Sequence, residues 1–252
     1  MTDIWSTGPY HFYVDILSKL LELLENKKFD IVSSTIVLFD DNFSKSVVKP
    51  LLSNLGLGAI NLIWLNKYAE YIVVGRNFFV TKPHIIGSNN SDVINRVYSL
   101  IRQKLSNLDT FSKGDSAKIV YYYRQNRIRK VMNDDELLPL LKQRGIHCTT
   151  FDDLSYFDAF KLMSSAKLFI GIHGGGLTNM LFMPQGSCVI EIKTNNPNPQ
   201  NHCYWHLARS LNFDYTMFVA ETRGASNVIE GRGCDVFVDS SQLIELIDNY
   251  GF

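Results

Sequence analysis

The sequence predicts an α/β protein of two halves, each built on a mainly parallel, doubly wound sheet. Three observations predict it. Short apolar runs of strand length alternate with amphipathic stretches of about ten residues along much of the chain. The stretch 167–192 reads as strand, glycine turn, short helix, tight turn and strand, a unit that places a ligand at the carboxyl ends of parallel strands. A shift in composition at 107–115, with Ser112, Lys113, Gly114 and Asp115, reads as a linker. It divides the chain into two Rossmann-like halves, residues 1–110 and 111–252, expected to face one another across a cleft.

Each element has its reason. Residues 9–27 predict a helix, because Phe12, Ile16, Leu20 and Leu24 recur at helical spacing and Leu17, Leu21 and Leu23 widen the apolar face. His11, Asp15, Lys19 and Glu22 fall on the opposite side, where a solvated polar face is the simplest account. Residues 35–39 are a buried-type strand ending in Asp40 and Asp41. Residues 43–54 read as a helix closed by Gly56, with a kink or break at Pro50. Strands follow at 61–65 and 71–80, and an amphipathic helix at 92–105. Beyond the linker the alternation is regular. Strands are expected at 118–124, 147–151, 215–219 and 236–238, and helices at 134–144, 155–165, 200–211 and 240–250.

Composition removes several function classes. Hydrophobic residues make up 46% of the 252, enough for a sizeable core. The 25 basic and 25 acidic residues balance, which argues against a general nucleic-acid binder. Cys148, Cys188, Cys203 and Cys234 lack metal or redox spacing, and reduced thiols are expected. No apolar run approaches the length of a bilayer span, and the first residues do not resemble a secretory signal, so a soluble protein is expected.

The chemistry concentrates in two stretches. Leu168, Phe169, Ile170 and Ile172 form a nearly unbroken apolar run, as in a strand buried on both faces. His173 and three glycines, Gly174, Gly175 and Gly176, follow, and a helix is expected from about Leu177. A glycine turn at a helix N-terminus offers unpaired N–H groups and a positive dipole end, a site for an anion such as phosphate. The next strand carries Glu191 near its carboxyl end. The esterase reading of His-Gly-Gly-Gly requires a Gly-x-Ser-x-Gly pentad, which is absent. The dinucleotide fingerprint lacks its third glycine, and no Walker A motif occurs.

The second stretch runs from Tyr121 to Leu138. A strand ends at Arg124, and a basic turn with Arg127, Arg129 and Lys130 leads to a helix. Asn133 is its candidate N-cap and Glu136 the capping-box partner. Arginine matches phosphate oxygens with two parallel donors, although a solvated basic turn fits the composition equally well. Metal readings are weaker. Asp40-Asp41 lacks Asp-x-Asp spacing, and His202 and His206 lack the rest of a zinc motif.

The run from His173 through Gly176, Leu177, Thr178, Asn179, Leu181, Phe182, Pro184 and Gly186, with the strand ending at Glu191-Ile192, closely resembles the signature of glycosyltransferase family 61. Gly175 departs from the usual Ala. The resemblance extends to Arg124, Arg129, Asn133 and Asp134, to Tyr204, Trp205, Ala208, Leu211 and Tyr215, and more weakly to His11-Phe12-Tyr13-Val14-Asp15. Arg127 falls outside it, and Ala159 stands where the family often has Gln.

The resemblance implies a GT-B fold and an inverting, metal-independent transfer from a UDP-sugar to a hydroxyl of a glycan or glycoprotein. Xylose is the first expectation for the donor sugar and N-acetylglucosamine the second. Gly174, Gly175, Gly176, Leu177, Thr178 and Asn179 would hold the diphosphate, with Arg124 and Arg129 neutralising it. Glu191 would accept from the ribose, and His173 would lie near the sugar or distal phosphate. No cofactor or metal is expected. An inverting transfer needs a general base from the half opposite the donor. Asp15, one turn from His11 on a rigid helix, is the expected base, with His11 as its orienting partner. His84, Asp40, Asp41 and Glu22 are the other candidates. The last helix is expected to cross back onto the first half. The chain is expected to be cytoplasmic if complete, or from the Golgi or endoplasmic reticulum lumen if an excised catalytic domain. Rival readings are a non-catalytic nucleotide-sugar- or glycan-binding relative and a Rossmann-type oxidoreductase.

Overall fold

The computed structural model describes residues 8–25, 30, 32–66, 91–107, 118–125, 129–152, 154–194, 202–223 and 234–252. The chain separates into two compact units. One comprises residues 1–110 with 155–157, the other 111–154 with 158–252. The expected strand at 71–80, His84, Arg127 and nearly all of the expected linker lie outside the described residues.

In the first unit, β1 (Thr35–Phe39) and β2 (Asn61–Leu65) pair in parallel. The first helix runs as a π-helical stretch, His11–Ile16, into α1 (Leu17–Glu25). Its apolar face buries Phe12, Ile16, Leu17 and Leu20, as the spacing predicts. It packs on α3 (Ser91–Ser106), where Arg96 pairs with Glu25. The helix after β1 does not break at Pro50. The short α2 (Lys49–Leu52) is flanked by π-helical stretches, Ser44–Val48 and Ser53–Leu57, and the Lys49 N–H reaches back to the Ser44 carbonyl. Proline lacks an N–H and its ring crowds the preceding turn. The wider ladder accommodates both effects and keeps the helix continuous. Gly56, at φ 83°, departs from helical backbone inside the last stretch and kinks it one residue before its end.

The second unit holds a six-stranded sheet in the order β4-β3-β5-β6-β7-β8. The strands are β3 (Ile119–Tyr122), β4 (His147–Thr149), β5 (Leu168–Ile172), β6 (Cys188–Thr194), β7 (Asp214–Thr222) and β8 (Val236–Phe237). All neighbours are parallel except β7 and β8. Every residue of β5 is buried, which explains its unbroken apolar run. The helices are α4 (Asp134–Gln143), α5 (Tyr156–Met163), α6 (Cys203–Ser210) and α7 (Ser240–Asp248). Strand β7 is longer than its apolar core predicts, because residues 220–222 continue the parallel and antiparallel ladders.

Two expectations give way here. Asn133 does not cap α4 with its side chain. Its amide donates to the Val238 carbonyl at 2.8 Å and accepts from the Val238 N–H at 3.0 Å, so both halves of a buried amide are satisfied by the backbone of one residue. The last helix also stays with the second unit. Asp239 caps it through the N–H groups of Ser241 and Gln242, Leu243 and Ile247 are buried, and Tyr250 meets Thr216 of β7 at 2.7 Å. Arg144, just after α4, lies 3.9 Å from Asp248 of α7. All four cysteines are free thiols.

Candidate anion and nucleotide site

The glycine turn sits at the carboxyl end of β5. It continues into a 3₁₀ helix, Gly175–Phe182, which begins two residues before the expected Leu177. Gly174 has φ 157°, and a Cβ there would come within 3.1 Å of Arg124 Nη1. Gly176 lies over the Tyr122 ring, and a Cβ at that position would overlap the ring. The two glycines thus do different jobs, one admitting a guanidinium and the other an aromatic ring. The Leu177 N–H closes onto the Gly174 carbonyl at 2.9 Å, and Asn179 Nδ2 donates to the Gly176 carbonyl at 2.9 Å. The N–H groups of Gly174, Gly175 and Gly176 take no backbone carbonyl among the described residues. The Leu177 side chain is buried against Gly171, and its N–H is already bonded.

Arg124 follows β3, so sheet order brings it beside the turn after β5. Its Nε and Nη1 are buried without hydrogen-bond partners, as are Arg129 Nε and Thr178 Oγ1. Buried polar groups without partners are rare, and cationic ones are the most costly to leave so. Burial pushes the Arg129 guanidinium below its ordinary value, and the charge of Arg124 pushes it the same way. Arg129 also has a left-handed backbone, φ 61°, a strained conformation for a residue with a side chain. Two mutually repelling cations with unpartnered nitrogens thus lie near the glycine turn and its N–H groups.

His173 stands where β5 meets the turn. Its Nδ1 hydrogen-bonds to Glu191 of β6, its ring meets Tyr204 of α6 edge-on at 5.2 Å, and its side chain is 22% exposed. Glu191 is wholly buried. Its second oxygen accepts from the Tyr215 hydroxyl. Both carboxylate oxygens therefore have partners inside the protein. Burial raises the Tyr215 phenol, and the neighbouring Glu191 charge adds to it. The Cys203 thiol, beside the same carboxylate, is pushed up to about 12, chiefly by burial.

Tyr122, Tyr204 and Tyr215 were not singled out as site residues from sequence. Tyr204 and Tyr215 did fall on the family pattern. Tyr122 left no signal beyond its place in a strand.

Asp15 Oδ2 and His11 Nδ1 of the first unit lie 2.7 Å apart, and both side chains reach solvent. Asp41 caps its helix, with Oδ1 2.7 Å from the Ser44 N–H, while Asp40 pairs with Lys45. Among the described residues no three His, Cys, Asp or Glu side chains converge as metal ligands, and no helix is long and apolar enough to cross a membrane.

The second unit is thus an α/β domain whose glycine turn and unpartnered arginine nitrogens lie at the carboxyl ends of its parallel strands, where ligands bind in open α/β sheets. The model of glycosyltransferase family 61 matches residues 10–190, and the chain belongs to that family. It is 29% identical over 135 residues to the EGF domain-specific O-linked N-acetylglucosamine transferase of Drosophila melanogaster, covering 52% of this chain and 25% of that protein. The Mus musculus protein of the same name is 27% identical over 146 residues, covering 54% and 26%. Protein O-linked-mannose beta-1,4-N-acetylglucosaminyltransferase 2 of Canis lupus familiaris is 30% identical over 92 residues, covering 35% and 16%. The chain therefore spans about a quarter or less of the length of these relatives.

Proposed function

We propose that the chain is a glycosyltransferase that moves a sugar from a UDP-sugar to a hydroxyl of a glycan or glycoprotein, with inversion at the anomeric carbon. The observation that carries the reading is the pair Arg124 and Arg129, whose buried nitrogens lack partners beside the free N–H groups of the glycine turn. A diphosphate would satisfy all of them at once. Fixed cations and N–H donors would then stabilise the leaving diphosphate without a metal ion. Glu191 would act through His173, which presents Nε2 to the donor. The proposed arrangement is GT-B, with the second unit holding the donor and the first supplying Asp15 as general base, oriented by His11. The names of the relatives make N-acetylglucosamine the first donor sugar to test, ahead of xylose.

The test is calorimetric titration with UDP, UDP-N-acetylglucosamine and UDP-xylose, in chelator and in manganese. UDP binding that persists in chelator supports the reading. Absence of UDP binding under both conditions overturns it, and binding only with manganese overturns its metal-free form. At about a hundred times its dissociation constant, a ligand should stabilise the fold by about 2.7 kcal/mol.

A further inference from the structure

A second cavity lies in the same unit, formed by the first turn of α6 and the exposed face of β7. It has a volume of about 490 Å³ and is lined by His202, Trp205, His206, Tyr215 and Met217. Four of the five lining residues carry aromatic rings, and none is a lysine, arginine or carboxylate. Trp205 and Met217 are 42% and 41% exposed, and Val219, on the same face of β7 as Met217, is 52% exposed. Such large apolar groups clustered at the surface mark a binding surface. The Trp205 and His206 rings stand at 70° with centroids 4.7 Å apart, giving a flat indole wall with an imidazole beside it. The Tyr215 hydroxyl is committed to Glu191, so its ring is what the cavity receives.

We infer that this cavity is a saccharide subsite, taking a neutral sugar ring of the acceptor; the inference rests on the glycosyltransferase reading. A pyranose offers one face of polarised C–H groups, which matches the negative face of an indole, and a rim of hydroxyls, which matches imidazole nitrogens. The lining excludes the alternatives by chemistry. Among the described lining residues there is no fixed cation to hold a phosphate or carboxylate. The same described residues include no carboxylate to hold an ammonium group. The volume is within the usual range for small-ligand sites, of order 300–1,000 Å³. The cavity also joins the donor site through one side chain, because Tyr215 forms its wall and steadies the carboxylate that holds His173.

The experiment is saturation-transfer NMR and calorimetry of the whole chain with three probes, the methyl β-glycosides of xylose, N-acetylglucosamine and mannose. Trp205→Ala and Trp205→Tyr are compared with wild type, and UDP is titrated into the same samples. At least one glycoside is expected to bind wild type, to lose about tenfold in affinity in Trp205→Ala, and to recover in part in Trp205→Tyr. UDP affinity should be equal in all three proteins. Glycoside binding unchanged in both variants overturns the inference, and so does UDP binding without binding of any glycoside. Failure to bind UDP is a separate outcome and strikes the donor site. If Trp205→Ala lowers the melting temperature, Trp205→Tyr and His206→Ala decide: full glycoside affinity in both overturns the inference.

Discussion

Glu191 holds His173 by its Nδ1, from a strand position where the carboxylate has no contact with solvent. A carboxylate only accepts, so the imidazole donates Nδ1–H and turns Nε2 outward. Tyr215, donating to the other oxygen, prevents the carboxylate from rotating away. Glu191→Gln retains the shape but reverses this logic. With its oxygen kept by Tyr215, the amide NH₂ faces Nδ1 and favours the opposite tautomer. Turnover should fall by roughly 10², with UDP affinity much less affected. The imidazole ¹⁵N shifts should report the tautomer exchange, and unchanged shifts would show that Glu191 does not set the state of His173.

Arg129 is held where its own charge is costly. It is partly desolvated, repelled by Arg124 and strained in backbone. Arg129→Met should therefore leave the unliganded protein as stable as wild type or slightly more so, while lowering UDP affinity by roughly 10². Thermal melting with and without UDP separates the two effects. A destabilised variant that binds UDP normally would assign Arg129 a structural role.

The glycines separate in the same way. Gly176→Ala drives a methyl group into the Tyr122 ring, a core residue 6% exposed, and should cost about 1–3 kcal/mol of stability. Tyr122→Leu should restore part of that loss. Gly174→Ala meets the Arg124 guanidinium instead, and should weaken UDP binding more than it lowers the melting temperature. Chemical denaturation and UDP titration of each variant check the ordering.

These residues show what sequence pattern carries and where it stops. The apolar run of β5 and the glycine turn after it were legible, because burial on two faces and backbone freedom each restrict residue type locally. The basic turn was legible as charge, but not as charge without partners, which only sheet order reveals. Glu191 was legible by its height in the strand, but its contacts to His173 and Tyr215 were not. Period two tells which face a side chain takes, not that His173 and Tyr215 already fill it. Asn133 carried a capping signature, yet its amide is better satisfied by Val238, a non-local partner that no local motif encodes. The amphipathic pattern of α7 required a surface for Leu243 and Ile247 without naming which one.

Asp134 offers a pH test. Burial raises its carboxyl to about 6, with Asp135 adding to the shift and the Tyr121 hydroxyl, 2.8 Å away, opposing it. A carboxyl raised in the folded state binds its proton more tightly there than when unfolded. Stability therefore grows as pH falls through about 6, and the gain is complete below the unfolded value of 3.8. Asp134→Asn should stabilise the protein at pH 7 by roughly 1–3 kcal/mol and flatten this dependence between pH 7 and 4. Urea denaturation at several pH values checks it, and a variant less stable at pH 7 would show that the carboxylate is favourably held.

The general base is the remaining group that the proposed reaction needs. It must take a proton from the acceptor hydroxyl while the diphosphate departs from the opposite face of the sugar. Asp15 has three properties that suit it. It lies on a continuous helix, its side chain is 21% exposed, and one oxygen is held by His11 at 2.7 Å, which leaves the other for a hydroxyl. Asp40 is paired with Lys45, and Asp41 spends one oxygen on a helix N-terminus and has the other buried, so Asp41 does not present an accessible carboxylate oxygen as Asp15 does. Asp15→Asn keeps the shape and the contact to His11 but cannot take a proton. It should bind UDP as wild type does and transfer sugar at least about 10² more slowly. His11→Ala should lose less, because it removes the orienting partner and leaves the base. Transfer assays at saturating donor measure both. Transfer by Asp15→Asn at the wild-type rate would pass the role to another group of the first unit, with Asp41, whose second oxygen is buried without a partner, next in line.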